Sequence, residues 1–141
     1  MKNRMELKLL SLSENEGFAR SVVGAFATQL DPTLEEVADI KTAVSEAVTN
    51  CIVHAYPTEV GEIIIAAELD GQTLRVRITD FGVGISDVVQ ARQPFYSTAG
   101  DEARSGMGFT VMETFMDELC VESAVRRGTT VEMVKTISRQ G

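Results

Sequence analysis

The sequence predicts an α+β fold, a two-layer sandwich in which helices pack on one face of a mostly antiparallel mixed sheet. Apolar residues recur at helical spacing in the first part of the chain, and the spacing becomes strand-like after Gly61. The predicted order of strand, helix, helix, two strands, helix and two strands suits helices gathered on one side of a sheet. The 141 residues are expected to form one domain, 1–141, whose core needs no disulfide.

The first elements are predicted to be a strand and a helix. Apolar and charged residues alternate over residues 5–12, which is typical of a strand. Ser13 and Glu16 have the spacing of a capping box, which predicts the start of a helix. That helix is expected to run to residue 30 and to bury an apolar stripe made of Phe18, Val22, Phe26 and Leu30.

A second, longer helix is predicted to follow. Thr33 and Glu36 form another capping box, just after Pro32. The helix is expected to end near His54–Pro57, and its apolar stripe consists of Val37, Ile40, Val44, Val48 and Ile52.

Two strands joined by a tight turn are predicted next. The runs Ile63–Leu69 and Thr73–Thr79 flank the dipeptide Asp70-Gly71, which favours a type I′ hairpin turn. Residues 86–104 have no regular spacing, and we expect them to form a mobile loop.

The last third of the chain is predicted to contain a short helix and a second hairpin. The hairpin pairs Leu119–Ala124 with Thr129–Ile137 around the turn Arg126-Arg127-Gly128. The helix is indicated by the spacing of Phe109, Met112, Phe115 and Met116.

The composition restricts the classes of partner. A net charge of −8 argues against nucleic acid or an anionic membrane as the primary partner, because both require a basic face. The N-terminus is too polar for a signal peptide and no run is long enough to span a membrane, so we expect a cytoplasmic protein. Cys51 and Cys120 lie among apolar neighbours without CxxC spacing, which favours two buried free thiols over a zinc site.

Glu46 and Asn50 form the first polar cluster with a chemical interpretation. They lie four residues apart on one helix face, away from its apolar stripe. A carboxylate there could accept the proton of an attacking hydroxyl, and a carboxamide oxygen is a suitable Mg²⁺ ligand. The alternative is an ordinary solvated helix surface. His54, one turn further on, is either a phosphoacceptor or a residue that packs the helix end near Tyr56.

The second cluster follows a predicted strand. Asp80 is an isolated carboxylate at the strand end, and a carboxylate can accept a hydrogen bond from the exocyclic amine of adenine. Gly82 and Gly84, with Ile85 beside them, leave room for backbone to approach a flat ring. The alternative is a plain Asp-Gly turn between two elements.

The third cluster is rich in glycine and opens the short helix. Backbone N–H groups at a helix N-terminus favour phosphate, and Arg104 is the nearby cation. An exposed loop end is the alternative, since neither a Walker A loop nor a kinase glycine loop is present. The cluster comprises Ser105, Gly106, Met107, Gly108, Phe109 and Thr110.

Taken together, the three clusters resemble the N, G1 and G2 boxes of the GHKL ATPase superfamily, over about residues 5 to 137. The matching motifs are Glu46-x-x-x-Asn50-x-x-x-His54, Asp80-x-Gly82-x-Gly84, Gly106-x-Gly108 and Gly128-Thr129. Within the superfamily, the chain is similar to the anti-sigma serine kinases of spore-forming bacteria. That likeness rests on the stretches Gln29–Thr33, Val44–Asn50 and Arg104–Thr110.

The resemblance implies a role for each cluster. Glu46 would be the general base, Asn50 the Mg²⁺ ligand and Asp80 the adenine acceptor. The hydroxyl of Thr129, or that of Thr130, would support Asp80. Residues 105–110 would hold the phosphates of ATP or ADP, with Arg104 as the lid cation.

The resemblance also implies a function. The chain would be a protein serine kinase that uses ATP and Mg²⁺, phosphorylates an anti-anti-sigma protein, and binds and inhibits a sporulation RNA polymerase sigma factor. Relatives of this size are dimeric, and the strand at 5–12 could supply the interface. Two alternatives remain: a non-catalytic adenine-nucleotide-dependent binding module, against which the presence of Glu46 argues, and a simple ATPase.

Arg20 is a candidate for partner binding. At ~100° per residue it lies away from the apolar stripe of its helix, so we expect it to face solvent or a protein partner. Arginine is enriched at energetically important positions of interfaces, although an ordinary solvated arginine is the alternative.

Overall fold

The computed structural model describes residues 1–93 and 108–138. The bounds of the helices and strands in these residues are β1 Lys2–Leu10, α1 Glu14–Ala27, α2 Leu34–Asn50, β2 Glu62–Asp70, β3 Thr73–Asp80, α3 Val88–Ala91, α4 Gly108–Phe115, β4 Glu118–Ala124 and β5 Gly128–Thr136. A 3₁₀ turn, Thr28–Leu30, follows α1, and a π-helical turn, Cys51–Ala55, follows α2.

The strands form one sheet in the order β1-β2-β3-β5-β4, and each neighbouring pair is antiparallel, so the described sheet is antiparallel throughout rather than mixed as predicted. Side chains on alternate positions of the central strands are buried against the helices, which gives the two-layer α+β sandwich that the sequence predicts. The largest of these buried side chains are Ile63, Ile65, Leu69, Leu74, Ile78 and Met133. No helix in residues 1–93 and 108–138 is both long enough and apolar enough to cross a bilayer.

The start of α1 differs from the prediction. The Ser13–Glu16 capping box is absent, because the Ser13 hydroxyl contacts the Glu14 carboxylate and the Glu16 carboxylate accepts a hydrogen bond from Arg20. The buried face is also rotated from the predicted stripe by about one residue, and Phe18 is 52 % exposed. Small residues allow α1 to approach its neighbours closely, and the buried positions of this helix are Ala19, Val23, Gly24 and Ala27.

The prediction for α2 is confirmed. Thr33 Oγ1 accepts a hydrogen bond from the Glu36 N–H at 3.0 Å, and Glu36 Oε1 accepts one from the Thr33 N–H at 2.9 Å. The apolar stripe is buried at Ile40, Val44 and Val48 and half-buried at Val37 and Ile52. Regular α-helical bonding ends at Asn50 and continues as the π-helical turn.

The hairpins are present, with one correction to the turn type. The β2–β3 turn consists of Gly71 and Gln72, with Asp70 paired to Thr73. Of the two turn residues only Gly71 has a positive φ, +62°, whereas a type I′ turn requires it at both. The β4–β5 hairpin is present, but its turn is residues 125–127, one residue earlier than predicted, because Gly128 pairs with Ala124 as the first residue of β5.

Three further predictions need correction. The first strand begins at Lys2 rather than residue 5 and ends at Leu10, because it pairs with β2 along its whole length. Cys120 is exposed rather than buried, since alternation along β4 places it on the outer sheet face. Part of the predicted loop is helical: α3 begins after Asp87, whose side chain accepts a hydrogen bond from the Gln90 N–H, while residues 94–104 lie outside the described residues.

Candidate functional site

A cavity of about 230 Å³ lies between the end of α2, the loop after β3 and the start of α4. Eight of the predicted site residues line it: Asn50, His54, Asp80, Gly84, Ile85, Gly108, Phe109 and Thr129. The cavity is therefore built by all three polar clusters that the sequence indicates. Cavities at such junctions, with mostly apolar walls and a few directed polar groups, are typical small-molecule sites.

Asp80 supplies the most constrained polar group of the cavity. Asp80 is the last residue of β3 and is only 5 % exposed. Both oxygens of its carboxylate accept hydrogen bonds. Its Oδ1 accepts hydrogen bonds from the N–H groups of Gly82 at 3.0 Å and Thr129 at 3.2 Å. Its Oδ2 accepts the thiol of Cys51 at 3.6 Å. This carboxylate has a fixed orientation toward the cavity and can accept a hydrogen bond from a ligand amine.

Burial raises the pKa of the Asp80 carboxyl above its usual value. The hydrogen bonds from Gly82, Cys51 and Thr129 act in the opposite direction and offset part of the increase. Burial also raises the pKa of the Cys51 thiol well above its usual value, and the neighbouring Asp80 carboxylate adds to this effect. The thiol is therefore a hydrogen-bond donor at neutral pH, so Cys51 is part of the site as well as part of the core.

The predicted support of Asp80 by a threonine hydroxyl is wrong. Thr129 contacts Asp80 through its backbone N–H, because the two residues are paired directly across β3 and β5. The Thr129 hydroxyl contacts Ser123 Oγ at 2.7 Å instead. Thr130 points to the opposite face of the sheet, where its hydroxyl contacts that of Thr79 at 3.3 Å. Thr130 is accordingly not among the cavity-lining residues that the structure describes.

The two glycines after Asp80 are required by backbone packing. A Cβ on Gly82 would lie 2.2 Å from the carbonyl oxygen of Ala55, and one on Gly84 would lie 2.1 Å from that of Ala124. Gly84 also has a φ of +77°, which disfavours other residues. Gly82 is not among the described lining residues, so its small size serves contact with the π-helical turn rather than room for a ring.

Glu46 and Asn50 converge on the first residue of α4. A Cβ placed on Gly108 would lie 3.1 Å from Asn50 Oδ1 and 3.4 Å from Glu46 Oε2. A carboxylate and a carboxamide oxygen therefore reach one point, at the first described residue of α4. Glu46 itself is not among the lining residues described, since it lies one turn before Asn50.

Four residues of the predicted phosphate loop lie outside the described residues: Arg104, Ser105, Gly106 and Met107. Within the described part of that cluster, Gly108 and Phe109 line the cavity, and Thr110 is half-buried in α4. His54 lines the cavity from the π-helical turn. Arg20 is exposed on α1, as predicted, and forms an ion pair with Glu16 at 2.5 Å.

Sequence reasoning missed the residues that hold the cavity together. Cys51 was assigned to the core alone, and Ser123 was not singled out although its hydroxyl accepts the Ile85 N–H at 2.7 Å. Tyr56 was named only as a neighbour of His54, yet its hydroxyl contacts the loop after Asp80. None of these residues belongs to a motif with fixed spacing; the π-helical turn that gathers two of them could be recognised only in three dimensions.

Comparison with known proteins shows the family to which the chain belongs. Residues 11–135 match the model of the histidine kinase-like ATPase domain. The anti-sigma F factor of Caldanaerobacter subterraneus subsp. tengcongensis is 60% identical over 137 residues, which cover 97% of this chain and 96% of that protein. The anti-sigma F factor of Clostridium acetobutylicum is 50% identical over 135 residues, covering 96% and 94% respectively.

A solved structure shares the fold. The crystal structure of the RsbU and RsbW domains of a Mycobacterium tuberculosis protein superimposes with a TM-score of 0.70 over 99% of this chain, at 22% identity. This chain covers 33% of that longer one. The matches over nearly the whole sequence place the chain in the histidine kinase-like ATPase family and, within it, among the anti-sigma F factors.

Proposed function

We propose that this protein is an ATP- and Mg²⁺-dependent serine kinase that phosphorylates an anti-anti-sigma protein, and that it binds and inhibits a sporulation RNA polymerase sigma factor. One structural observation carries the kinase assignment: Glu46 and Asn50 converge on Gly108, at one end of the cavity that Asp80 lines. A binding module would need no carboxylate at that point. The names of the relatives, anti-sigma F factors, support the sigma-factor partner.

In this proposal Asp80 selects the base of the nucleotide. Its carboxylate accepts a hydrogen bond from the exocyclic amine of adenine, and the N–H groups of Gly82 and Thr129 keep the carboxylate in place. A guanine presents a carbonyl oxygen at the equivalent position, which a carboxylate repels. The site therefore favours ATP and ADP over GTP.

Glu46 would act as the general base. It takes the proton of the substrate serine hydroxyl as the serine oxygen bonds to the γ-phosphorus of ATP. The bond between the γ-phosphorus and the bridging oxygen breaks, and ADP leaves with that oxygen. The start of α4 next to Glu46 presents backbone N–H groups that suit the phosphates, and residues Arg104–Met107 would extend this cradle.

The donor set at this point fits Mg²⁺. Asn50 offers a carboxamide oxygen beside the Glu46 carboxylate, and Mg²⁺ prefers oxygen ligands together with water and phosphate. Bound there, the ion would neutralise negative charge on the phosphates. His54 would line the nucleotide side of the same cavity.

The proposal extends to the assembly and its location. We propose a single-domain cytoplasmic protein that forms a homodimer. Strand β1 lies at the edge of the sheet, where its outer backbone groups are available for pairing with a second copy. Arg20, on the exposed side of α1, would contact the sigma factor or the anti-anti-sigma substrate.

A phosphotransfer assay tests the proposal. The protein is incubated with γ-labelled ATP, Mg²⁺ and an anti-anti-sigma protein, and label on a serine of that protein is measured for the wild type and for Glu46→Gln. We expect labelling by the wild type alone. Tight ATP binding without transfer would instead indicate a non-catalytic module, and release of free phosphate without labelling would indicate an ATPase.

A further inference from the structure

We infer that Tyr56 is a positioning residue for purine recognition: its hydroxyl holds the loop after β3 so that the Asp80 carboxylate can select the 6-amino group. The inference rests on the proposed function, in which Asp80 accepts the adenine amine. Tyr56 is 6 % exposed and is not among the cavity-lining residues that the structure describes. It therefore acts through other residues rather than by touching the nucleotide.

The Tyr56 hydroxyl joins the ends of two strands next to the cavity. It accepts a hydrogen bond from the Phe81 N–H at 2.7 Å and donates one to the Glu62 carbonyl oxygen at 2.7 Å. Ile63 is paired with Asp80, so Glu62 and Phe81 would be the next pair of the β2–β3 ladder. The phenol lies between them and satisfies both backbone groups. The chain after Asp80 thus leaves the sheet while both of these backbone groups keep a hydrogen-bond partner.

The position of the phenol ring is itself tightly fixed. A Cβ on Gly61 would lie 2.2 Å from Tyr56 Cε1, so backbone packs directly against the ring. At the other side, the Tyr56 N–H donates to the Cys51 carbonyl oxygen at 3.1 Å and closes the π-helical turn. The hydroxyl therefore has little freedom to follow a loop that moves.

The loop that Tyr56 holds also orients Asp80. Gly82, the next residue after Phe81, donates its N–H to Asp80 Oδ1. Val83 then donates its N–H to the Ala55 carbonyl oxygen at 3.0 Å, so the same short loop is fixed at both ends by the adjacent residues Ala55 and Tyr56. Without the hydroxyl, one of the two fixed ends is lost, and the Gly82 N–H no longer directs the carboxylate. We expect discrimination between 6-amino and 6-oxo purines to depend on Tyr56.

The experiment compares the affinities of ADP and IDP by calorimetry in the wild type and in Tyr56→Phe. The two diphosphates differ at position 6 of the purine, and neither can be turned over by phosphotransfer. We expect Tyr56→Phe to weaken ADP about fivefold to tenfold, the usual range for one lost hydrogen bond. IDP affinity should change by less than about twofold, so most of the loss of ADP affinity appears as a lower ADP/IDP preference.

A matched control removes comparable hydrogen bonds far from the cavity. Gln72 Nε2 donates to the carbonyl oxygens of Leu30 at 3.2 Å and Ile137 at 3.3 Å, at the opposite end of β2 and β3. Gln72→Met should lower the melting temperature and leave the ADP/IDP preference at the wild-type value. If Tyr56→Phe does not fold, Gly61→Ala is the second variant. It displaces the ring while keeping the hydroxyl, and it should reduce the same preference.

The outcomes separate this inference from the proposed function. An unchanged ADP/IDP preference in Tyr56→Phe and Gly61→Ala would overturn the positioning role and leave Asp80 as the purine acceptor. Equal affinity of the wild-type protein for ADP and IDP would overturn the assignment of Asp80 itself. A reduced preference in both variants, with the Gln72→Met value unchanged, establishes the role.

Discussion

Gly108 lies directly against Asn50: a Cβ on Gly108 would come within 3.1 Å of Asn50 Oδ1 and 3.3 Å of Nδ2. The first residue of α4 thus meets the last residue of α2, at the edge of the cavity. Because Glu46 Oε2 would lie only 3.4 Å from the same Cβ, the glycine keeps the point between these two side chains free of a methyl group. The approach of α4 to α2 therefore defines where the proposed chemistry takes place.

Filling this space should impair catalysis. The methyl group of Gly108→Ala would crowd the carboxamide of Asn50 and the carboxylate of Glu46, and displacements of a few tenths of an ångström matter most near reacting atoms. We expect phosphotransfer to fall roughly tenfold or more. Gln72→Met is the control, because the hydrogen bonds it removes lie at the opposite end of β2 and β3. Equal phosphotransfer activity of the two variants would show that the close contact between α4 and α2 at Gly108 has no role in catalysis.

The base assignment predicts a separation of binding from turnover. Glu46→Gln preserves the shape of the side chain but removes its ability to accept a proton. ATP affinity should stay within several-fold of the wild type, while phosphotransfer falls by roughly 10² or more. Calorimetry with ATP and single-turnover labelling measure the two quantities. Equal losses in both would make Glu46 a structural residue.

The adenine assignment predicts that ATP and ADP behave alike. Asp80→Asn replaces one acceptor oxygen with an amide donor, so it should weaken both nucleotides by a similar factor, since they carry the same base. GTP should bind poorly to the wild type and to the variant. An ADP affinity that does not change on substitution would contradict the assignment.

The raised pKa of Asp80 predicts a specific pH dependence of stability. Because burial raises the pKa in the folded state above that in the unfolded chain, the folded protein binds this proton more readily. The contribution of Asp80 to stability is therefore complete below the unfolded-state pKa and is lost as the pH rises through the folded-state value.

Asp80→Asn cannot titrate, so it serves as the reference for this effect. The wild-type protein should gain free energy of unfolding relative to Asp80→Asn as the pH falls from ~7 toward ~4. Denaturant unfolding at several pH values measures the difference. A constant difference over that interval would show that Asp80 has the same pKa in both states.

Features that depend on residues close together in the sequence could be predicted, and features that depend on contacts between distant segments could not. Capping of α2 by Thr33 and Glu36 is a contact between near neighbours, and it was predicted correctly. The burial phase of α1 depends on how close α2 can approach. The two helices are close at Gly24, where a Cβ would lie 2.6 Å from Lys41 Cε. The spacing of the larger apolar residues does not contain this information, and it predicts burial of Phe18, which is exposed.

The same limit applies to the site. Motif spacing predicted that Asn50, Asp80 and Gly108 would line one cavity, because each residue type has a recognisable chemical use. The residues that orient them act across the fold. The thiol of Cys51, at the start of the π-helical turn, contacts Asp80 across the fold, and the contact of Thr129 with Asp80 follows from strand pairing. Neither relation leaves a fixed spacing in the sequence.

The last prediction concerns Arg20, on the exposed side of α1. Its ion pair with Glu16 is solvent-exposed, and such pairs contribute about 0–1 kcal/mol to folding stability. Stability therefore does not explain the presence of an arginine at this position. Contact with a protein partner gives a stronger reason, since buried arginines often dominate interfaces. We expect Arg20→Glu to weaken binding of the sigma factor or the anti-anti-sigma substrate about tenfold or more. ATP affinity should be unchanged, because Arg20 is not among the described residues that line the cavity.

The control for this prediction is Glu16→Gln, which removes the same ion pair but keeps the arginine. A role for Arg20 in the partner interface predicts wild-type partner affinity for Glu16→Gln and a loss for Arg20→Glu. Both variants should melt within a few degrees of the wild type, because the loss of an exposed pair and a like-charge contact at i, i+4 each change stability by tenths of a kcal/mol. Partner affinities equal to those of the wild type in both variants would leave Arg20 an ordinary solvated side chain.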